Sequence, residues 1–432
     1  MIRIAPFGRV LAVAAAASLA LTACGGGEDS AAPAESSAPA ASSSAPAAAQ
    51  GDGTLTIGTL LPSTGSLAFL GPPEFAGVKL AVKEINEAGG VLGKPVVQID
   101  TDSGDTSTNI ASQSVDKLLQ QKADAIIGAA SSSVSLSVID KITGAGVVQF
   151  SPANTSDQFT TYNDKGLYFR TAPPDVLQGR VLGDLIVADG SDTVAILALQ
   201  DAYGTGLADN TQKAVEASGG QVVEKVIYDP KAAEFSADVA KIKAANPKAI
   251  ALIGFDETKK IVPELVKQGL TTDKVKLYFV DGNLANYGTG NDGFPKGTLK
   301  GAKGTLPGAA APEDFQKRMK EVDPDLKDFS YGPESYDAAN LIALAAVAAN
   351  SDAGPDIAAK LREVSTGGEK CNDFKSCNEL LKQGKDIDYD GVSGPIEFNE
   401  AGDPSEATIG IYQYGEDNTY KNVTYSSGKI AG

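Results

Sequence analysis

Thr54-Leu55-Thr56-Ile57-Gly58-Thr59-Leu60-Leu61 alternates and then runs apolar, as a buried strand does. The period then changes. Over residues 74–88, Phe75, Val78, Val82 and Ile85 recur at helical spacing, and Gly89-Gly90 supplies a stop. The exchange continues with a strand over 96–101, a helix over 110–121, a strand over 125–128, a helix over 134–143 and a strand over 147–150. Strands that take turns with helices predict a parallel sheet covered on both faces.

A second series follows a strand over 167–171. It reads as helix 176–188, strand 194–199, helix 206–217, strand 222–228, helix 237–245, strand 249–253, helix 259–268 and strand 275–280. Helical stretches over 313–321, 334–350 and 357–364 come next, then strand-like 394–398 and 409–414. Two successive α/β units followed by a return to helices and strands predict two lobes between which the chain passes more than once.

Composition narrows the chemistry. The chain has no His, no Trp, 3 Cys and 2 Met, and a net charge of -18. Without His, the usual general base near neutral pH and every Ser-His-Asp or Cys-His nucleophile are excluded. No nucleophile elbow is present either, so the chain reads as a non-enzyme. The acidic balance argues against a nucleic-acid partner, which requires clustered Lys and Arg.

At the start, Arg3 and Arg9 precede an apolar run from Val10 to Leu21 that is too short to span a bilayer, which is the order of a secretory signal over residues 1–23. Leu21-Thr22-Ala23-Cys24 resembles the lipobox of bacterial lipoproteins, which implies acylation of Cys24 and a place on the extracytoplasmic face of the cell membrane. Residues 24–53 are almost wholly Ala, Ser, Pro, Gly and acidic residues, with too little apolar surface to fold, and read as a tether. In an oxidising compartment the remaining pair, Cys371 and Cys377, reads as a disulfide.

Residues 58–65 (GTLLPSTG), 77–86 (GVKLAVKEIN) and 88–94 (AGGVLGK) open a set of blocks that includes 127–133 (IGAASSS), 151–155 (SPANT), Phe169-Arg170-Thr171 and Asp201-Ala202-Tyr203-Gly204. In order and spacing this set resembles the leucine/isoleucine/valine-binding proteins of ABC transporters. The resemblance implies a type I periplasmic-binding-protein fold, in which two doubly wound parallel-sheet lobes are joined by three hinge crossings. These are expected near 171–175, 305–308 and 394–398. The first lobe then takes residues 54–172 and 307–393, and the second 173–306 and 394–432. The implied function is extracytoplasmic capture of a small, apolar, branched-chain amino acid and its delivery to an ABC permease, by a monomer without cofactor or metal. A sensor of amides or amino acids with the same fold is the alternative.

Ligands in such sheets sit beyond the carboxyl ends of the strands, where helix N-termini present N–H groups. Ser131 and Ser132 lie at such a place, and the resemblance puts Ser132 on the position that binds the ligand's carboxylate. It likewise assigns Ala153 and Thr155 to backbone and hydroxyl contacts, Asp281 to the α-ammonium, and Tyr203, Phe255 and Tyr331 to the pocket wall. Two departures stand out: Leu70 replaces a common aromatic, and Phe255 a common tyrosine.

Two motifs read as decoys. Residues 288–293 (GTGNDG) satisfy a dinucleotide-binding pattern, but Pro295 follows and no strand-to-helix context surrounds them. Residues 386–391 (DIDYDG) with Glu397 match an EF-hand calcium loop, yet strand-like 394–398 replaces the exiting helix, and no calcium is expected.

Overall fold

The computed structural model describes residues 51–288 and 293–430. The leader, Cys24 and nearly all of the tether lie outside these residues, as does the middle of the 288–293 loop. The first series is β1 (Thr56–Leu61), α1 (Gly71–Glu87), β2 (Val97–Asp102), α2 (Ile110–Gln120), β3 (Ala125–Gly128), α3 (Ser132–Gly144), β4 (Val148–Ser151) and β5 (Tyr168–Arg170). The second runs α4 (Asp175–Ala188), β6 (Thr193–Leu199), α5 (Ala202–Ala217), β7 (Gln221–Tyr228), α6 (Ser236–Ala244), β8 (Ala249–Ile253), α7 (Thr258–Lys267), β9 (Lys276–Val280) and β10 (Lys303–Pro307). Then come α8 (Glu313–Val322), α9 (Gly332–Ala349), α10 (Gly354–Leu361), β11 (Glu369–Cys371), α11 (Phe374–Lys382), β12 (Ile387–Gly391) and β13 (Gly394–Pro395). A final ribbon, β14 (Glu406–Tyr414) and β15 (Tyr420–Lys429), ends the described chain.

One sheet is parallel throughout, in the order β2-β1-β3-β4-β5. A second has the order β15-β14-β10-β9-β8-β6-β7, with its two last strands antiparallel, and a small third sheet has the order β11-β12-β13. Strand β1 is buried along its whole length, as a central parallel strand covered on both faces must be. Helix α1 begins at Gly71, earlier than the apolar spacing from Glu74 suggests, because prolines occupy its first turn, where no intrahelical N–H partner is needed.

The two larger sheets carry separate cores. One gathers Ile57, Val78, Ile127 and Phe150 with Leu341, Ile342 and Phe398 from the later part of the chain. The other gathers Ile196, Leu252 and Phe279 with Tyr412 and Tyr414. Phe398 packs edge-on to Phe150 and Phe169 at 5.8 and 5.4 Å. The chain therefore leaves the first core after Phe398 and joins the second sheet at Glu406, later than the 394–398 passage read from the sequence.

Cys371 and Cys377 form a disulfide, with Cα atoms 5.3 Å apart, that ties β11 to α11. Closing so small a loop contributes about 2 kcal/mol in the chain-entropy model. Reduction is expected to lower the unfolding free energy by that order without abolishing folding; urea titrations with and without reductant check it, and equal midpoints would contradict it. The EF-hand-like residues instead form a hairpin of β12 and β13, and Lys370 on the adjacent β11 places its Nζ 3.0 Å from Asp388 and 2.9 Å from Asp390.

Candidate functional site

All eight residues singled out in the sequence line one tight cavity of about 10 Å³. It lies at the carboxyl ends of the strands, where β3 and β4 of the first sheet face β9 of the second.

Helix α3 supplies one end. Ser131 is its N-cap, and its Oγ accepts from the Val134 N–H at 3.3 Å. Ser132 Oγ accepts from the Ser156 N–H at 3.3 Å. Each hydroxyl thus accepts a bond and still has a proton to donate. Ala153 gives its N–H to Ser151 Oγ at 3.2 Å. Thr155, 1 % exposed, has a hydroxyl that makes no hydrogen bond of ordinary length, although it lies close enough to the buried Asp175 carboxyl to offset part of the upward push of burial there. A buried hydroxyl is unfavourable unless a further group satisfies it. Together with the helix N-terminus, this end of the cavity suits a carboxylate.

Asp281 supplies the other end. It follows β9 directly and is 5 % exposed. Its Oδ1 accepts from Tyr203 Oη at 2.7 Å and Gln178 Nε2 at 2.8 Å, and its Oδ2 accepts from Tyr331 Oη at 2.9 Å. Burial pushes the carboxyl above its usual range, while these three donors pull it back. Burial, reinforced by the Asp281 charge, holds Tyr203 and Tyr331 well above the ordinary tyrosine value, so both act as donors. Three bonds leave a carboxylate room for a further donor, since its two oxygens carry about four lone-pair sites.

Apolar walls join the two ends. Tyr203 and Phe255 stack with centroids 5.6 Å apart and planes 6° from parallel, and Leu67 and Leu70 close the opposite side. Contacts that join the lobes include Tyr331 to Asp281, the Ala202 N–H to Ser133 Oγ at 3.0 Å and Asn210 Nδ2 to Asp157 Oδ2 at 2.6 Å. Leu67 and Gln178 were not singled out in the sequence. Gln178 sits one turn into α4 and also reaches Thr305 Oγ1 at 3.2 Å, and no local pattern announces either contact.

Beside the cavity, Glu334 in the first turn of α9 packs against Gly308, whose φ of +90° and missing Cβ the carboxyl requires. Its carbonyl accepts from Thr171 Oγ1 at 3.1 Å. Burial pushes Glu334 up from 4.5 to about 8. The fold then holds this proton more tightly than the unfolded chain does, so its contribution to stability is full below about pH 4.5 and is lost as the pH rises to about 8. Glu74, Asp175 and Asp337, also raised by burial, act in the same direction. Glu334→Gln is expected to flatten the decline in stability between pH 5 and 8; an unchanged pH slope in urea unfolding would contradict this.

Two α/β lobes closing on a small cavity with an anion-binding end and a buried carboxylate define a solute-binding protein. The chain belongs to the periplasmic binding protein family, whose profile matches residues 54–406. It is similar to Leu/Ile/Val-binding protein homolog 1 of Brucella suis biovar 1, at 28% identity over 377 residues, covering 85% of this chain and 92% of that protein. An amino acid binding protein of Pseudomonas aeruginosa is 26% identical over 377 residues, with the same coverage of 85% and 92%. The crystal structure of a leucine-binding protein from Thermotoga maritima superposes with a TM-score of 0.71 at 21% identity, covering 86% of this chain and 98% of that one, a likeness of fold.

Proposed function

We propose that this chain captures a small α-amino acid with an apolar, branched side chain outside the cytoplasm and delivers it to an ABC permease. Lipid on Cys24 would hold it to the membrane, and it would act as a monomer without catalysing a reaction. The observation that carries this reading is the pairing, in the lining of one cavity, of the Thr155 hydroxyl beside the α3 N-terminus with the buried Asp281 carboxylate. A zwitterion satisfies both ends at once. Small-molecule sites commonly enclose roughly 300–1,000 Å³, so the walls of this tight cavity must part to admit a ligand. The names of the Brucella and Pseudomonas relatives support the same class. Hinge closure follows, because a ligand held by both lobes binds the closed form better and shifts the population toward it.

Calorimetry of the mature protein against leucine, isoleucine, valine, phenylalanine, short amides and urea tests the class. Binding of one or more of the aliphatic amino acids is expected, with no amide response. An amide that binds while every amino acid fails would overturn the reading.

A further inference from the structure

Arg170, the last residue of β5, is wholly buried, and none of its bonds reaches the cavity directly. Its Nε donates to Asp403 Oδ1 at 2.6 Å, and its Nη2 donates to Thr160 Oγ1 at 3.1 Å. Its Nη1 donates to the carbonyls of Asn154 at 3.3 Å and Ser156 at 2.8 Å. Those two residues flank Thr155. The Thr155 carbonyl accepts from the Asp175 N–H at 2.6 Å, at the start of α4, so the backbone of this residue is fixed on every side while its hydroxyl makes no hydrogen bond of ordinary length. Asp403 lies on the segment by which the chain leaves the first core after Phe398 and enters the second sheet at Glu406. It is held there by the Thr160 hydroxyl at 2.7 Å and by the bond from the Arg170 N–H to the Gly402 carbonyl at 3.1 Å.

We infer that Arg170 is a positioning residue for ligand binding: seated by Asp403, it holds the Thr155 hydroxyl in place and ties the carboxylate-binding loop to the last passage between the lobes. This rests on the role given to Thr155 above. Only a guanidinium has the planar fork to meet a carboxylate, a hydroxyl and two carbonyls at once; an ammonium is a point charge with three donors. Lysine at this position keeps the charge opposite Asp403 but releases the carbonyls around Thr155.

A double-mutant cycle with Arg170→Lys and Thr155→Val, read by calorimetry with leucine on samples shown to be folded by circular dichroism, tests the inference. Arg170→Lys is expected to weaken binding about tenfold, and the double variant to bind no more weakly than Thr155→Val alone, because both remove the same contact. A purely structural role would leave the dissociation constant of the folded Arg170→Lys protein unchanged, or make the two effects multiply, and either result overturns the inference. Asp403→Asn, which unseats the guanidinium, takes the place of Arg170→Lys in the cycle with the same expectation should the lysine variant not fold. Failure of the wild-type protein to bind any amino acid would overturn both the proposed function and this inference, whereas wild-type binding with an additive cycle would overturn the inference alone.

Discussion

Asp281→Ala is expected to reduce amino-acid affinity by a factor of roughly 30 to several thousand, because cutting one partner from a desolvated charge pair costs about 2–5 kcal/mol. The cost has two sources. In the proposed pose the ligand's ammonium loses the one carboxylate that lines the cavity among the described residues, and the hydroxyls of Tyr203 and Tyr331 and the amide of Gln178 lose the acceptor on which they converge. Asp281→Asn separates these, since it restores an acceptor oxygen and the side-chain shape but not the charge. It should therefore keep the stability of the parent and still bind weakly. Thermal unfolding and calorimetry on both variants check the pair; normal binding by Asp281→Asn would show that the carboxylate's charge is not used.

The second large effect concerns stability. Arg170 and Asp403 are 0% and 1% exposed and 2.6 Å apart. Breaking a buried pair by removing one partner leaves an uncompensated charge in the interior, which costs about 3–5 kcal/mol. Arg170→Met is expected to lose that much in urea unfolding at pH 7, with the Thr160 hydroxyl and the carbonyls of Asn154 and Ser156 each left short of a donor as well. Exposed pairs such as Lys248 with Asp192 contribute little by comparison. An unfolding midpoint for Arg170→Met equal to that of the parent would contradict the account of this cluster.

The strand-helix alternation was legible because the strands that organise it, β1, β3, β4 and β8, are buried on every residue and read as short apolar runs. Strand β15 was not. It is an exposed edge strand whose Lys421, Asn422, Thr424, Ser426 and Ser427 give no apolar alternation, and its pairing with β14 is set by chain reversal. The hairpin of β12 and β13 was masked by the acidic spacing of residues 386–391, which mimics a cation loop while Lys370 faces two of its carboxylates. The grouping of Ser132, Thr155 and Tyr203 came through ordered blocks of family resemblance, and Asp281 through its place just past the strand over 275–280, since no spacing along the chain brings residues so far apart to one cavity. Gln178 and the Arg170 cluster depend on contacts across 103 and 233 residues, which sequence periodicity does not encode.

In the proposed mode of binding, one small molecule is gripped at both ends, by the Ser132 and Thr155 side in one lobe and by Asp281 in the other. Calorimetry of the wild-type protein with leucine, with 4-methylpentanoate, which lacks the ammonium, and with 3-methylbutylamine, which lacks the carboxylate, tests it most directly. The account predicts binding of leucine and at least about hundredfold weaker binding of each one-ended analogue, since each leaves a buried polar group unpaired. Binding of 4-methylpentanoate as tight as that of leucine would contradict it.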